Sequence, residues 1–66
     1  MKTYEVLIYE SEEDFNRSQL ATLPQIEGMT RKREAMREGR LWLAEAPIVK
    51  VQSSDREFIQ ILRRKA

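Results

Sequence analysis

The stretch that decides the fold is TRKREAMREGRLWLAEAP, Thr30 to Pro47. Wound at about 100° per residue, it places its apolar residues on one side of a helix. Thr30 is a suitable N-cap, Glu34 lies within the first turn, and Pro47 ends the segment. The spacing predicts one amphipathic helix over about 31–45. Its apolar side consists of Ala35, Met36, Gly39, Trp42, Leu43 and Ala46.

The glycine inside this segment supports a second interpretation. A glycine within a helix costs roughly 1 kcal/mol relative to alanine. The helix could therefore end at Gly39, with RLWLAE continuing as a strand. The continuous helix is favoured because the apolar side stays in phase beyond Gly39. Lys32 falls on the apolar side at the helix start, and its charged end is expected to reach outward to solvent.

Three arginines, Arg33, Arg37 and Arg40, line a second side of this helix; we call them the arginine ridge. Like charges at this spacing repel by a few tenths of a kcal/mol, and the glutamates on the next ridge relieve only part of that. The ridge is therefore a candidate contact for carboxylates or phosphates, although an exposed helix face kept soluble by charge is the simpler explanation. A basic C-terminal tail follows much later in the chain and consists of Arg63, Arg64 and Lys65. If the tail lies beside the helix, it would extend the ridge.

Trp42, the single tryptophan, also allows two interpretations. At the edge of the apolar side it is simply the largest core residue of the helix. Alternatively its indole reaches the surface as a contact anchor, a role that tryptophan often has in interfaces. The predicted partner-binding residues are therefore Arg33, Arg37, Arg40, Trp42, Arg63, Arg64 and Lys65.

Two strands flank the helical segment. Residues 3–9, TYEVLIY, and 48–52, IVKVQ, are rich in β-branched and aromatic side chains. For residues 11–23 the sequence allows two structures. Ser11 followed by three acids is typical of a helix N-cap, whereas an acidic turn followed by a strand through 20–23 would form a hairpin. Pro24 ends either version.

The C-terminal segment also allows two structures. Ser54 followed by Glu57 three positions later forms a capping box, which favours a helix over 55–65. The alternative is a hairpin in which the valines of the 48–52 strand face Ile59 and Ile61. With the central helix, these elements predict a small single α+β domain in which two to four strands pack against one main helix. A 66-residue domain has a thin core, so a bound partner or a homodimer is expected to complete it.

The residue types in the chain narrow its chemistry. It has no cysteine and no histidine, so thiolate chemistry, disulfides and the usual neutral-pH base are excluded. The acidic cluster Glu12, Glu13 and Asp14 suits helix capping better than a metal. Two glycines do not make a phosphate-binding loop. We therefore expect no catalytic residue, no metal and no cofactor, and a protein that is not an enzyme.

The distribution of charge and hydropathy bears on location and partners. Two bases oppose six acids from residue 1 to 28, and ten bases oppose five acids from 29 to 66. This division indicates either an acidic and a basic end or internal complementarity that closes the fold. The N-terminus turns acidic too early for a signal peptide, and no apolar run approaches the ~18 residues of a membrane span. A soluble, cytoplasmic protein is expected.

Short motifs in the first two thirds of the chain resemble those of HicB-family antitoxins: KTYEVLIYE at the start, SEED, the pair Leu23 and Pro24, Gly28 to Thr30 entering a helix, and LWL at its end. The resemblance implies a partly degraded ribonuclease-H-like α+β domain that blocks a small RNA-cleaving toxin.

Together these observations predict a small non-catalytic binding or regulatory protein that occupies a surface of a macromolecular partner. An inhibitor, an antitoxin-like or phage protein and an accessory subunit are all of this class, and the partner is expected to be a protein. The alternative function is nucleic-acid binding through the arginine ridge and the basic tail.

Overall fold

Four strands and two helices make up the protein, as a computed structural model describes it over residues 1–18, 20–21, 23 and 25–65. Their order is β1 (Tyr4–Tyr9), α1 (Glu12–Ser18), β2 (Ile26–Met29), α2 (Lys32–Trp42), β3 (Ile48–Ser53) and β4 (Ile59–Arg63). The strands form one antiparallel sheet in the order β2-β1-β3-β4. The predicted α+β class, with two to four strands and one main helix, is confirmed.

The two faces of the sheet are covered differently. Helix α2 lies on one face, where Val6 and Ile8 of β1 and Val49 and Val51 of β3 are fully buried. Helix α1 covers one end of the other face, where Phe15 packs edge-to-face on Tyr9 with ring centroids 5.0 Å apart. The remainder of that second face is not covered by a described helix, and we call it the open face.

Helix α2 runs continuously through Gly39, so the continuous-helix prediction is confirmed. A Cβ at Gly39 would lie 2.9 Å from Val51 Cγ2, because the helix backbone rests directly on the sheet there. The helix ends at Trp42, followed by a turn over 43–45. Its N-cap is Arg31, one residue later than predicted, without a side-chain cap.

The preferred helix over 55–65 is wrong, because this segment forms a hairpin turn and β4. Buried Ser53 holds the turn: its hydroxyl donates to Asp55 Oδ1 at 2.6 Å and accepts from the Phe58 N–H at 3.1 Å. Ser54 does not cap a helix, since its hydroxyl accepts from the Thr3 N–H.

The hairpin alternative had the right element but the wrong register. Val49 lies opposite Leu62 and Val51 opposite Gln60. A shift of one residue moves every side chain of a strand to the other face. Ile59 and Ile61 therefore lie on the open face, 51% and 37% exposed.

The segment left open between helix and strand begins as a helix. Ser11 caps α1, accepting from the Asp14 N–H at 3.1 Å, as the acidic N-cap pattern indicated. Of residues 20–23, those that the structure describes belong to no strand, and Pro24, predicted to end the segment, lies outside the described residues. The second neighbour of β1 is instead β2, four residues that the sequence pattern did not reveal.

Candidate functional site

The arginine ridge lies on the outer surface of α2 as predicted. The helix buries Ala35 and Gly39 against the sheet, which turns Arg33, Arg37 and Arg40 to solvent. Among the described residues, none of the three guanidinium groups has an ion pair or a hydrogen bond. Their charges are therefore unneutralised within the described chain and available to an anionic partner.

An exposed leucine separates the ridge from an acidic stripe. Leu41 is 63% exposed and follows directly after Arg40. On the helical wheel it falls between the arginine ridge and an acidic stripe formed by Glu34 and Glu38, which Glu45 of the following turn extends. The outer surface of α2 thus has an apolar centre with positive charge on one side and negative charge on the other. The sequence-based site did not include Leu41, although its position on the wheel would have revealed it.

Trp42 lies partly in the core and partly at the surface, and its role as a contact anchor stays a prediction. It is half-buried and packs against the core beneath α2. It also lines a shallow groove of about 190 Å³ together with Leu41, Glu38 and Glu45. One part of the tryptophan is therefore core, and another part forms the apolar wall of a surface groove with carboxylates at its rim.

The basic tail is divided between two places. Arg64 lies at the end of α2, where its Nε donates to the Leu43 carbonyl at 2.7 Å. Arg63 lies on the other face of the sheet, paired with Glu12 at 3.0 Å and above the Phe15 ring. The hydrogen bond and charge of Glu12 raise the pKa of Arg63. Arg64 thus lies on the α2 side of the sheet and Arg63 on the opposite side, and Lys65 is exposed beyond them.

Lys32 shows which sheet edge the ridge approaches. Its Nζ lies 4.8 Å from the centroid of the Phe58 ring, next to the start of β4. This geometry fits the outward-reaching charge expected for Lys32. With the Arg64–Leu43 contact at the other end of α2, it places the flank of α2 that carries the ridge on the β4 side. This is also the arrangement of a right-handed β2–α2–β3 crossover.

The open face carries an apolar strip that sequence reasoning missed. The strip consists of Ile59 and Ile61 on β4. Lys50 and Gln52 of β3 separate it from buried Leu7 and the 70%-exposed Leu20. A broad cavity of about 520 Å³ there also includes Glu5, Lys50 and Arg56. A hairpin register shifted by one residue from the one considered in the sequence analysis would have placed Ile59 and Ile61 on this face.

The remaining polar groups are used within the fold. The carboxylate of Asp55 accepts from Ser53 and the Glu57 N–H and pairs with Lys2, which lowers its pKa to about 2. Burial raises the pKa of Tyr9.

Across the described residues, no group of three or more acids, histidines or cysteines is arranged to hold a metal ion. None of the described helices has both the length and the apolar character needed to cross a bilayer.

Comparisons with known proteins add no relative to this geometry: no protein-family model, no curated protein and no solved structure matches the chain. The resemblance to HicB-family antitoxins thus gains no support from them and stays an expectation drawn from short motifs.

Proposed function

We propose that this chain is a small non-catalytic binding protein that acts by covering an acidic surface of a protein partner with the outer surface of α2. The observation that carries the proposal is the arginine ridge, which has no ion-pair partner among the described residues, beside the exposed Leu41. An apolar centre with a polar, charged rim is the usual anatomy of a protein interface.

The rigidity of α2 supports the same function. The helix is fixed to the sheet through the close contact at Gly39, so its arginines are held at a constant spacing on a rigid element. Preorganisation of this kind reduces the entropy lost on binding. Arginine is also the residue best suited to bidentate pairing with carboxylates.

The acidic stripe favours a protein partner over a nucleic acid. Glu38 and Glu45 border the groove beside Leu41 and would repel a phosphate backbone laid across the helix. A protein surface can offer acidic groups to the ridge and basic groups to the stripe at the same time. Nucleic-acid binding is therefore the competing outcome of the experiment below.

The test is affinity capture from the native host lysate with three forms of the chain. The wild type is compared with the double variant Arg33→Glu/Arg37→Glu and with Arg17→Glu/Arg56→Glu, which makes the same change in net charge at exposed sites outside α2. The Arg17–Glu13 pair that the control removes is solvent-exposed, as is every substituted side chain, so all three forms should give the same far-UV circular dichroism spectrum.

We expect the wild type and the control to retain the same protein partner and the α2 variant to lose at least about tenfold in affinity. Equal capture by all three forms would overturn the proposal. So would a nuclease-sensitive complex whose affinity falls steeply with salt, which is the behaviour of a phosphate-binding protein.

A further inference from the structure

The two edges of the sheet differ in how well they are protected against pairing with another strand. At one edge, β2 has four residues, a register irregularity opposite β1, and Gly28 at φ 86°. Short, irregular edge strands of this kind resist addition of a further strand. At the other edge, β4 pairs with β3 through five consecutive residues in unbroken register, without proline or glycine.

The hydrogen bonds of β4 show which backbone groups face outward. The Ser53 N–H donates to the Phe58 carbonyl and the Arg64 N–H to the Pro47 carbonyl, both at 2.9 Å. Because an antiparallel ladder alternates, Phe58, Gln60, Leu62 and Arg64 turn their backbone groups toward β3. The N–H and carbonyl groups of the residues between them, Ile59, Ile61 and Arg63, therefore point away from the sheet.

We propose that the β4 edge is a self-association site, at which a second copy of this chain pairs antiparallel about a twofold axis through Ile61. In this register Ile61 faces Ile61 of the other copy, and Ile59 faces Arg63. All three outward residues then enter hydrogen-bonded pairs, so the strand is matched along its whole length. The proposal does not depend on the proposed function.

The charges at the ends of β4 are complementary in the same register. Glu57 precedes the strand and Lys65 follows it, and both are exposed. The register brings Glu57 of one copy opposite Lys65 of the other at each end of the paired strands. Two favourable pairs therefore form, and opposite charges directly across a ladder stabilise it. At the centre, the apolar strips of the two open faces meet at Ile61.

The helices leave room for this pairing. Helix α2 packs mainly on β1 and β3, so its axis lies about two strand spacings from the twofold axis. The two α2 helices would then be roughly 19 Å apart, well beyond the 8–10 Å of direct helix packing. Both arginine ridges lie on the β4 side, so they would face each other across a groove on one face of an eight-stranded sheet.

The first experiment measures mass by sedimentation equilibrium over a wide range of protein concentration. The wild type should change from monomer to dimer. Ile61→Pro, which removes an outward N–H that β3 does not use, should weaken the dimer at least about a hundredfold. Glu57→Lys should weaken it about tenfold, and the swap Glu57→Lys/Lys65→Glu should restore it. The charge variants test the same register without a proline in β4, so they decide the outcome if Ile61→Pro does not fold.

The second experiment uses the absence of cysteine from the chain. In the proposed register the two Cα atoms at position 61 are about 5.5 Å apart, within reach of a disulfide. Those at position 59 are about 15 Å apart and are not. Under mild oxidation Ile61→Cys should form a covalent dimer much faster than Ile59→Cys.

A wild type that stays monomeric at every concentration would overturn the proposal. So would equal disulfide formation at the two positions, a dimer that Glu57→Lys does not weaken, or a weakened dimer that the charge swap does not restore.

Discussion

At the scale of single residues, Gly39 explains how α2 reaches the sheet. In an exposed helix position alanine is more stable than glycine by about 1 kcal/mol. At Gly39 a Cβ would contact Val51 Cγ2 at 2.9 Å and Leu62 Cδ1 at 3.3 Å, and Val51 is fully buried and β-branched, with little freedom to move. Overpacking of this kind costs about 1–3 kcal/mol.

Gly39→Ala should therefore lower the free energy of unfolding by about 1 kcal/mol, despite the better helix propensity of alanine. Denaturant unfolding measures the change. The matched control is the pair Arg37→Gly and Arg37→Ala at an exposed site of the same helix, where alanine should be the more stable by about 1 kcal/mol. A stabilised Gly39→Ala protein would show that α2 does not lie so close to β3.

Asp55 is the second residue with a measurable consequence. The Ser53 hydroxyl, then the Glu57 N–H and Lys2, lower its pKa from 3.8 to about 2. The unfolded chain therefore binds the Asp55 proton more tightly than the folded protein does. The stability that the carboxylate contributes is fully present above about pH 4 and is lost as the pH falls toward 2.

Urea unfolding of the wild type and Asp55→Asn across this pH range checks the expectation. The wild type should be the more stable above about pH 4, and the difference should shrink as the pH falls to about 2. Asparagine keeps an acceptor for Ser53 without a charge, so it isolates the titration. A difference independent of pH would show that the charge of Asp55 does not stabilise the turn.

At the scale of elements, strongly periodic segments could be predicted from the sequence. β1, β3 and α2 each carry an apolar pattern of one clear period, and each appears within a few residues of its expected bounds. β2 could not be predicted, because IEGM is short, half polar and contains glycine. Its strand structure comes from pairing with β1 and not from local preference.

The C-terminal error also has a physical cause. Ser-Ser-Asp-Arg-Glu suits a helix N-cap and a tight turn equally, since short polar side chains bind nearby backbone groups in both. The turn forms because Ser53 is fully buried at the end of β3, where its hydroxyl binds Asp55 and Phe58. Residues 48–53 position Ser53, so the choice depends on a tertiary contact that no window over 55–65 contains.

Helix α1 depends on one cap. It has seven residues and a single buried side chain, Phe15. Ser11→Ala removes the acceptor of the Asp14 N–H and should destabilise the protein by about 1 kcal/mol. Denaturant unfolding is again the measurement, with Asn16→Ala, an exposed site in the same helix, as the near-neutral control. Equal effects at the two positions would contradict a capping role for Ser11.

At the scale of the whole molecule, only some charges of the acidic part of the sequence (1–28) pair with charges of the basic part (29–66). Arg63 of the basic part pairs with Glu12 of the acidic part, as internal complementarity would require. The Lys2–Asp55 pair runs in the opposite sense, and Arg17 pairs locally with Glu13. The arginine ridge is left without partners among the described residues. Its exposure could be predicted from the helical period, whereas the position of Arg63 depended on the unforeseen β4.

The most direct test of the partner-binding surface is site-specific photocrosslinking with benzoylphenylalanine in place of Leu41 in the host cell. We expect a crosslink to one protein partner that disappears when Arg33→Glu and Arg37→Glu are added, and no such crosslink when the probe replaces Asn16 on α1. A crosslink that survives the arginine substitutions, or that forms equally well from Asn16, would show that the outer surface of α2 is not where the partner binds.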